Sequence, residues 1–376
     1  MILGLLKEHG NETRVVLLPD IVQNLTDLKV EVLVEQSAGE KAFASDADYK
    51  NAGAAVVSRK EIFEKAEVLL QIQPPADEDV KSLKNSQVWI SAFNPLWETD
   101  LVKTFREKGI TTFSLDSIPR TTRAQAMDIL SSMATVAGYK AVLEAALKLP
   151  TFFPMFMTAA GTIRPANVLI LGAGVAGLQA VATARKLGAQ VYVFDVRSAV
   201  KEEVKSLGGK FVEVEGAKED KDAGGYAVEQ TEEYKKKQQE AINAQAVKSD
   251  VIICTAQIPG RKAPLLVSKD TVEKMKKGAV IVDLAASTGG NCELTKNDEV
   301  VHFEGKTIIG QSNYPAQTPL DASRMFGKNV FNFLKLIIGE EGALNLNFDD
   351  DIVKGTCITN KGELYNERVK SVIENK

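Results

Sequence analysis

Residues 167 to 197 constrain the fold of this chain more than any other stretch. They read N-V-L-I-L-G-A-G-V-A-G-L-Q-A, then a helical run to Leu187, then V-Y-V-F-D-V-R. An apolar strand that meets three spaced glycines and continues as a helix predicts a β-turn-α unit. Gly172 permits the tight turn, Gly174 lets a backbone approach a pyrophosphate, and Gly177 lets helix and strand pack closely. Val175 and Ala176 then open a helix whose unpaired N–H groups and dipole favour phosphate. Asp195 follows Gly177 by 18 residues, near the roughly 20 at which a ribose-binding acid stands in such units. Its carboxylate repels a 2′-phosphate, so the pattern predicts NAD over NADP. Arg197, two residues on, is a competing candidate that would receive a phosphate. The bland alternative is a glycine-tolerant βα turn ending in a solvated aspartate.

The rest of the composition narrows the class. At about 150 residues per domain, a chain of 376 residues holds two domains. Its hydrophobic fraction of 44% and charged fraction of 26% exclude disorder, collagen and a small disulfide scaffold. Forty-six basic against fifty acidic residues give a net charge of −4, with both signs spread along the chain, so no nucleic-acid partner is expected. Cys254, Cys292 and Cys357 are far apart and form no CxxC pattern. Neither a disulfide frame nor a zinc site is implied, and a reducing compartment fits. The start, MILGLLKEHGNETR, lacks the basic n-region of a secretory signal. Pro165 to Ala184 is uncharged and long enough to span a bilayer, but its glycines predict strand, turn and helix, and so a soluble chain.

Strand-like and helix-like segments alternate from the first residue: MILGLL, DIVQNLTDL, VEVLVE, AEVLLQIQ, VWISAF, TTFSL. A helix from Arg123 to about Lys148 follows, closed by Pro150. A second series runs NVLILG, VYVFDV, KFVEV, DVIICTA, AVIVDLA, KTIIG, and ends near Gly310. The acidic, glycine-bearing segment near residues 216–230 predicts a mobile loop. After another apolar helix, SRMFGKNVFNFLKLII, the tail FDDDIVKGTCITNKGELY predicts a short closing hairpin or edge. This alternation predicts an α/β fold of two Rossmann-like, doubly wound domains. The second, residues 136–309, is inserted into a first made of residues 1–135 and 310–376.

The segments NETRV at 11–15, PRTTRAQAMDILSSMATVAGYKAV at 119–142, GAGVAGLQA, GGYA at 224–227, IPGRKAP at 258–264, VDLAASTGGNCE at 282–293 and FDDDIVKG resemble one family across nearly the whole chain. It is the NAD(H)-binding domain I, or alpha-type subunit, of proton-translocating nicotinamide nucleotide transhydrogenase, a relative of alanine dehydrogenase. The resemblance implies that Arg120, Gln125, Asp128 and Ser131 reach toward the nicotinamide and a partner domain. It implies nucleotide contacts from Gly172, Gly174, Val175, Ala176, Gly177, Asp195, Val196, Arg197, Ala256, Pro259 and Leu284. Gly225 and Tyr226 would belong to a flap, the bland reading of Tyr226 being a surface anchor. From spacing alone, Gln125, Asp128 and Ser132 form one polar stripe on an otherwise apolar helix; equally, Thr122 and Gln125 form a capping box. Asp283 and Asn291 lie past a strand end, where ligands bind or where a side chain merely caps a turn.

Two enzyme classes and a non-catalytic NAD-binding regulator compete. An alanine-dehydrogenase-like enzyme needs a cation for a substrate carboxylate and groups for proton transfer. Arg14 is a candidate cation. The relatives' Lys, His and Asp, however, are replaced by Gln73, Asn94 and Ser287, and His9 and His302 are expected at the surface. Hydride transfer between two nicotinamides needs no proton donor, only positioning and exclusion of water. The resemblance therefore implies NAD(H) here, NADP(H) on a partner domain or subunit, a membrane domain that couples the reaction to protons, a homodimer, and no metal. It also implies a peripheral place on the cytoplasmic or matrix side of an energy-transducing membrane.

Overall fold

Strands that are apolar at every position need cover on both faces, and the two sheets of this chain have it. The computed structural model describes residues 1–214, 231–258 and 260–374. The chain divides into two compact units, Met1–Met133 with Pro315–Lys376, and Ala134–Tyr314.

In the first unit β1 (Ile2–Leu5), β2 (Glu31–Glu35), β3 (Ala55–Val57), β4 (Val68–Leu70), β5 (Val88–Ser91) and β6 (Thr111–Ser114) pair in parallel, in the order β6-β5-β4-β1-β2-β3. The second unit opens with an antiparallel hairpin, β7 (Phe156–Thr158) and β8 (Gly161–Ile163). Its sheet comprises β9 (Asn167–Leu171), β10 (Gln190–Phe194), β11 (Lys210–Phe211), β12 (Val251–Cys254), β13 (Val280–Asp283), β14 (Val300–Phe303) and β15 (Lys306–Gly310), in the order β11-β10-β9-β12-β13-β15-β14. Only β14 runs antiparallel to its neighbour. The C-terminal segment then returns to the first sheet. There β16 (Cys357–Asn360) pairs antiparallel with β6, and β17 (Glu363–Leu364) with β16.

Alternate residues of each central strand feed opposite cores. Val168 and Ile170 of β9 enter one buried cluster, Leu169 and Leu171 the other. That alternation between two covered faces explains why the strand reads as an unbroken apolar run. The run between Arg164 and Arg185 is thus strand, turn and helix. Among the described residues no helix is long and apolar enough to cross a membrane.

The helix Ile129–Lys148 lies against the first turn of the helix Val175–Lys186. A Cβ at Gly138 would stand 2.1 Å from the Ala176 carbonyl oxygen, so only glycine allows this approach. Helix propensity alone favours Gly138→Ala by ~1 kcal/mol, whereas a forced backbone shift costs ~1–3 kcal/mol. We expect the steric effect to win, so that G138A lowers the chemical denaturation midpoint. An unchanged or raised midpoint would contradict the packing described.

Candidate functional site

The second sheet changes winding direction at β9, whose neighbours are β10 and β12. Open α/β sheets bind ligands beyond the carboxyl ends of the strands at such a point. Gly172 leaves β9 with φ +104° and donates its N–H to Phe194 O at 2.8 Å. A Cβ on Gly177 would fall 1.9 Å from the Gly172 carbonyl oxygen, whereas one on Gly174 would meet nothing within 4 Å. The first closeness packs the helix onto the strand, and the second marks open space before the helix N-terminus. Gly174 is itself the N-cap and supplies no side-chain bond, so the first-turn N–H groups lack a side-chain cap. Thr255 Oγ1 closes the far side, donating toward the carbonyls of Leu171 and Gly172 at 3.1 Å each.

Asp195 stands just past β10, almost buried. Its Oδ2 accepts from Ala173 N at 2.7 Å and Arg197 Nη2 at 2.7 Å; its Oδ1 accepts from Arg197 N at 2.8 Å and Nε at 2.9 Å. The guanidinium that sequence alone offers to a phosphate is folded back on the carboxylate in a two-pronged pair. Val196 and Ala256 are half-buried, and Leu284 is buried with its N–H on Cys254 O at 2.9 Å. Gly225, Tyr226, Pro259 and the segment near 216–230 lie outside the described residues. Asp283 points inward, accepting from the N–H groups of Ala285, Asn291 and Cys292 and from Thr295 Oγ1 at 2.7–3.0 Å. Burial raises its carboxyl above the ordinary range, and its role is to organise the turn.

In the first unit Arg120, Gln125, Asp128 and Ser131 line one cavity of about 300 Å³, with Pro119, Thr121, Thr122 and Ala124. The expected single helix from Arg123 is instead a 3-10 turn, Thr122–Met127, and a separate helix from Ile129. Asp128 causes the break. Its carboxylate accepts from Ser131 N at 2.9 Å and Ser131 Oγ at 2.6 Å, and aspartate favours such a cap over a helix interior. The capping box of Thr122 and Gln125 does not form: the turn starts at Thr121 without a side-chain cap. Nor do Gln125, Asp128 and Ser132 make one helical stripe, since Asp128 separates the two helices and engages Ser131.

Residues distant in sequence hold this turn. Arg123 forks onto Asp350 at 2.7 and 2.8 Å and also reaches Asp351. Asn329 and Asn332 of the helix Pro319–Leu334 both donate to Ala126 O, at 2.9 and 3.1 Å. Sequence reasoning misses all four partners, because nothing local relates positions more than 200 residues apart.

Arg14, the candidate carboxylate ligand, is buried and bound by Glu12 through Nε at 2.8 Å and Nη2 at 2.7 Å. Gln73 Oε1 accepts from His9 N at 3.1 Å, and Asn94 takes φ +47° with its N–H on Asp116 Oδ2 at 2.8 Å. Ser287 N–H donates to Ser312 Oγ at 3.0 Å. Beside Gln73 in the first unit, Glu8 is pushed up to about 8 by burial and accepts from the N–H groups of Ile72 and Gln73 at 2.6 and 3.1 Å. His9 and His302 are exposed. Among the described residues no cluster of three or more His, Cys, Asp or Glu could hold a metal.

The pairing of Asp195 with Arg197 generates a prediction. Asp195→Asn removes the charge that retains the guanidinium, so NADH affinity should fall about ten-fold, the worth of a hydrogen bond to a charged group. NADPH should gain at the same time. Equilibrium titration of both nucleotides checks this, and an unchanged ratio would remove Asp195 from cofactor choice.

Comparison with known proteins agrees with this geometry. The family model for the alanine dehydrogenase/PNT N-terminal domain matches residues 4–137, and that for the C-terminal domain matches residues 141–367. Over 367 residues the chain is 43% identical to the first of the polypeptides that make up the NAD(P) transhydrogenase subunit alpha of Rhodospirillum rubrum, covering 95% of this chain and 96% of that protein. It is 40% identical to the NAD(P) transhydrogenase subunit alpha of Haemophilus influenzae, covering 96% of this chain and 71% of that one. The crystal structure of a transhydrogenase from Sinorhizobium meliloti superposes with a TM-score of 0.88 at 39% identity, covering 97% of this chain and all of that one. The chain belongs to the alanine dehydrogenase/PNT family and, within it, to the NAD(P) transhydrogenase alpha subunits.

Proposed function

We propose that this chain is the NAD(H)-binding component of a proton-translocating transhydrogenase. It exchanges hydride between its own nucleotide and NADP(H) on a partner domain or subunit, and a membrane domain outside this chain couples that step to proton movement. Such a subunit sits peripherally at the cytoplasmic or matrix face of the membrane. The observation that carries the reading is the glycine turn after β9 with Asp195 at the end of β10.

These residues fit a dinucleotide. Val175 and Ala176 open the helix beside the open space at Gly174, and their N–H groups would bind pyrophosphate. Asp195 and Val196 would hold one ribose, with Arg197 steadying the carboxylate. Ala256 and Leu284 would wall the other half. Bound nicotinamide supplies the carbon that gives or accepts hydride. Nothing in that transfer requires a proton at this chain; Gln73, Asn94 and Ser287 stand where the dehydrogenases carry titratable groups, and Arg14 is paired with Glu12. Arg120, Gln125, Asp128 and Ser131 orient the reacting rings and exclude water. That is worth rate only when the reacting atoms are held ~3–3.5 Å apart.

The chain mixed with an NADP(H)-binding transhydrogenase domain should catalyse hydride exchange between NADH and an NADP analogue. Gln125→Asn should slow single-turnover transfer about ten-fold or more while NADH affinity stays within a few-fold, because lost positioning affects the transition state alone. Unaltered transfer by folded Gln125→Asn would remove that residue from the site. Reductive amination of pyruvate with NADH and ammonium at even ~1 s⁻¹ would instead favour the dehydrogenase chemistry.

The assembly we propose is a homodimer. Every residue of β7 and β8 is exposed, Phe156, Met157 and Ile163 among them, and exposed Phe152 packs on Phe156 with ring centroids 4.4 Å apart. An uncharged hairpin with this surface needs a partner to be soluble. Met157→Asp should convert the dimer to monomer in sedimentation velocity at micromolar concentration. A dimer unaffected by the charge would place the interface elsewhere.

A further inference from the structure

Asn291 lies in the turn after β13, fully buried, outside both the glycine turn and the cavity near Arg120. Its side-chain amide is saturated. Oδ1 accepts from Ala256 N at 3.0 Å, while Nδ2 donates to Ala256 O at 2.9 Å and Pro264 O at 2.8 Å. Its main chain is held as firmly: the carbonyl accepts from Leu266 N at 2.8 Å and Val267 N at 3.0 Å, and the N–H donates to Asp283 at 2.7 Å.

Bonding to both the N–H and the C=O of one residue is what an adjacent strand does. β12 ends at Cys254, so this amide carries strand-like pairing two residues further, past the edge of the sheet. The residues it holds abut the glycine turn, since a Cβ on Gly172 would stand 2.5 Å from Thr255 Oγ1 and 3.3 Å from Ala256 N. The second donor fixes Pro264, so one side chain ties both ends of the excursion from 256 to 264. A fully satisfied buried amide specifies one geometry where apolar packing would allow several.

We infer that Asn291 is the positioning residue for the nicotinamide ring of the bound dinucleotide. Asp195 stands at the end of β10, on one side of β9, and there holds the adenosine ribose. The other mononucleotide half must then lie toward β12, against the Thr255–Ala256 backbone that Asn291 fixes. The inference rests on the nucleotide-binding reading above.

Two ligands isolate the nicotinamide ring. ADP-ribose carries the adenosine, pyrophosphate and both riboses but no nicotinamide ring; NADH carries all of them. Asn291→Ala should weaken NADH about five-fold or more and leave ADP-ribose within about two-fold, the scale of one or two misplaced contacts. Should that variant fail to fold, Asn291→Ser retains a small polar group and should show the same selective loss to a lesser degree. A parallel loss of both ligands, or no loss of either, overturns the inference and leaves Asn291 with a structural role alone. Wild-type protein that binds neither ligand overturns the nucleotide-binding reading itself.

Discussion

A helix can offer its unpaired N–H groups to a phosphate only if its first turn meets the preceding strand with nothing in between. Gly177 against the Gly172 carbonyl makes that meeting here, and the rest of the second unit is arranged around it. Gly138 lets the helix Ile129–Lys148 close on Ala176 from behind. Thr255 buttresses the two carbonyls at the turn itself, and Asn291 steadies the segment that carries Thr255 and Ala256. Each of these contacts is made to backbone. The turn is therefore held by geometry that few side chains could reproduce, while the face toward open space stays clear.

Charge is handled in the same economical way at several places, three of which concern the residues above. Asp195 with Arg197, Glu12 with Arg14, and Asp350 with Arg123 are carboxylate–guanidinium pairs in which two nitrogens of the fork engage the acid. Such pairs are directional as well as strong, and their consequences differ with location. At Asp195 the pair folds the guanidinium back onto the acid just past β10. Between Glu12 and Arg14 both partners are buried. Between Arg123 and Asp350 it is largely exposed, so its worth lies in anchoring the 3-10 turn that carries Gln125 more than in stability.

The elements whose residues are buried on both faces are legible from the sequence. β1, β2, β4, β5, β6, β9, β10, β12, β13 and β15 all stand within runs that read as strands, because most covered strands are apolar runs, while β6, Thr-Thr-Phe-Ser, is marked by β-branched and aromatic residues. Those that escape such a reading are β3, half-exposed and three residues long; β14, an edge strand with alternating exposure; and the hairpin β7–β8, exposed at every residue. Neither β3 nor the hairpin has a burial alternation to betray it. β11 stops at Phe211 rather than running on to Val214, as expected of an edge strand with one neighbour.

The glycine turn, the acid after the next strand and the apolar periodicity are local properties, and they determined the α/β class and the doubly wound sheets without any tertiary information. Tertiary structure decided what the polar side chains do. Arg14 and Arg197 read in sequence as cations available to a ligand, yet each turns back on an acid two residues away, because a guanidinium drawn partly or wholly out of water gains from a paired charge. Asp128 falls within what reads as one continuous helix, yet its carboxylate finds Ser131 and starts a new one. Asn329, Asn332, Asp350 and Asp351 hold the turn around Gln125 from the far end of the chain, and Asn291 ties Ala256 to Pro264. Hydrogen bonds of that kind depend on where folded backbones meet. Residue order carries no trace of those meetings until the sheets have brought the segments together.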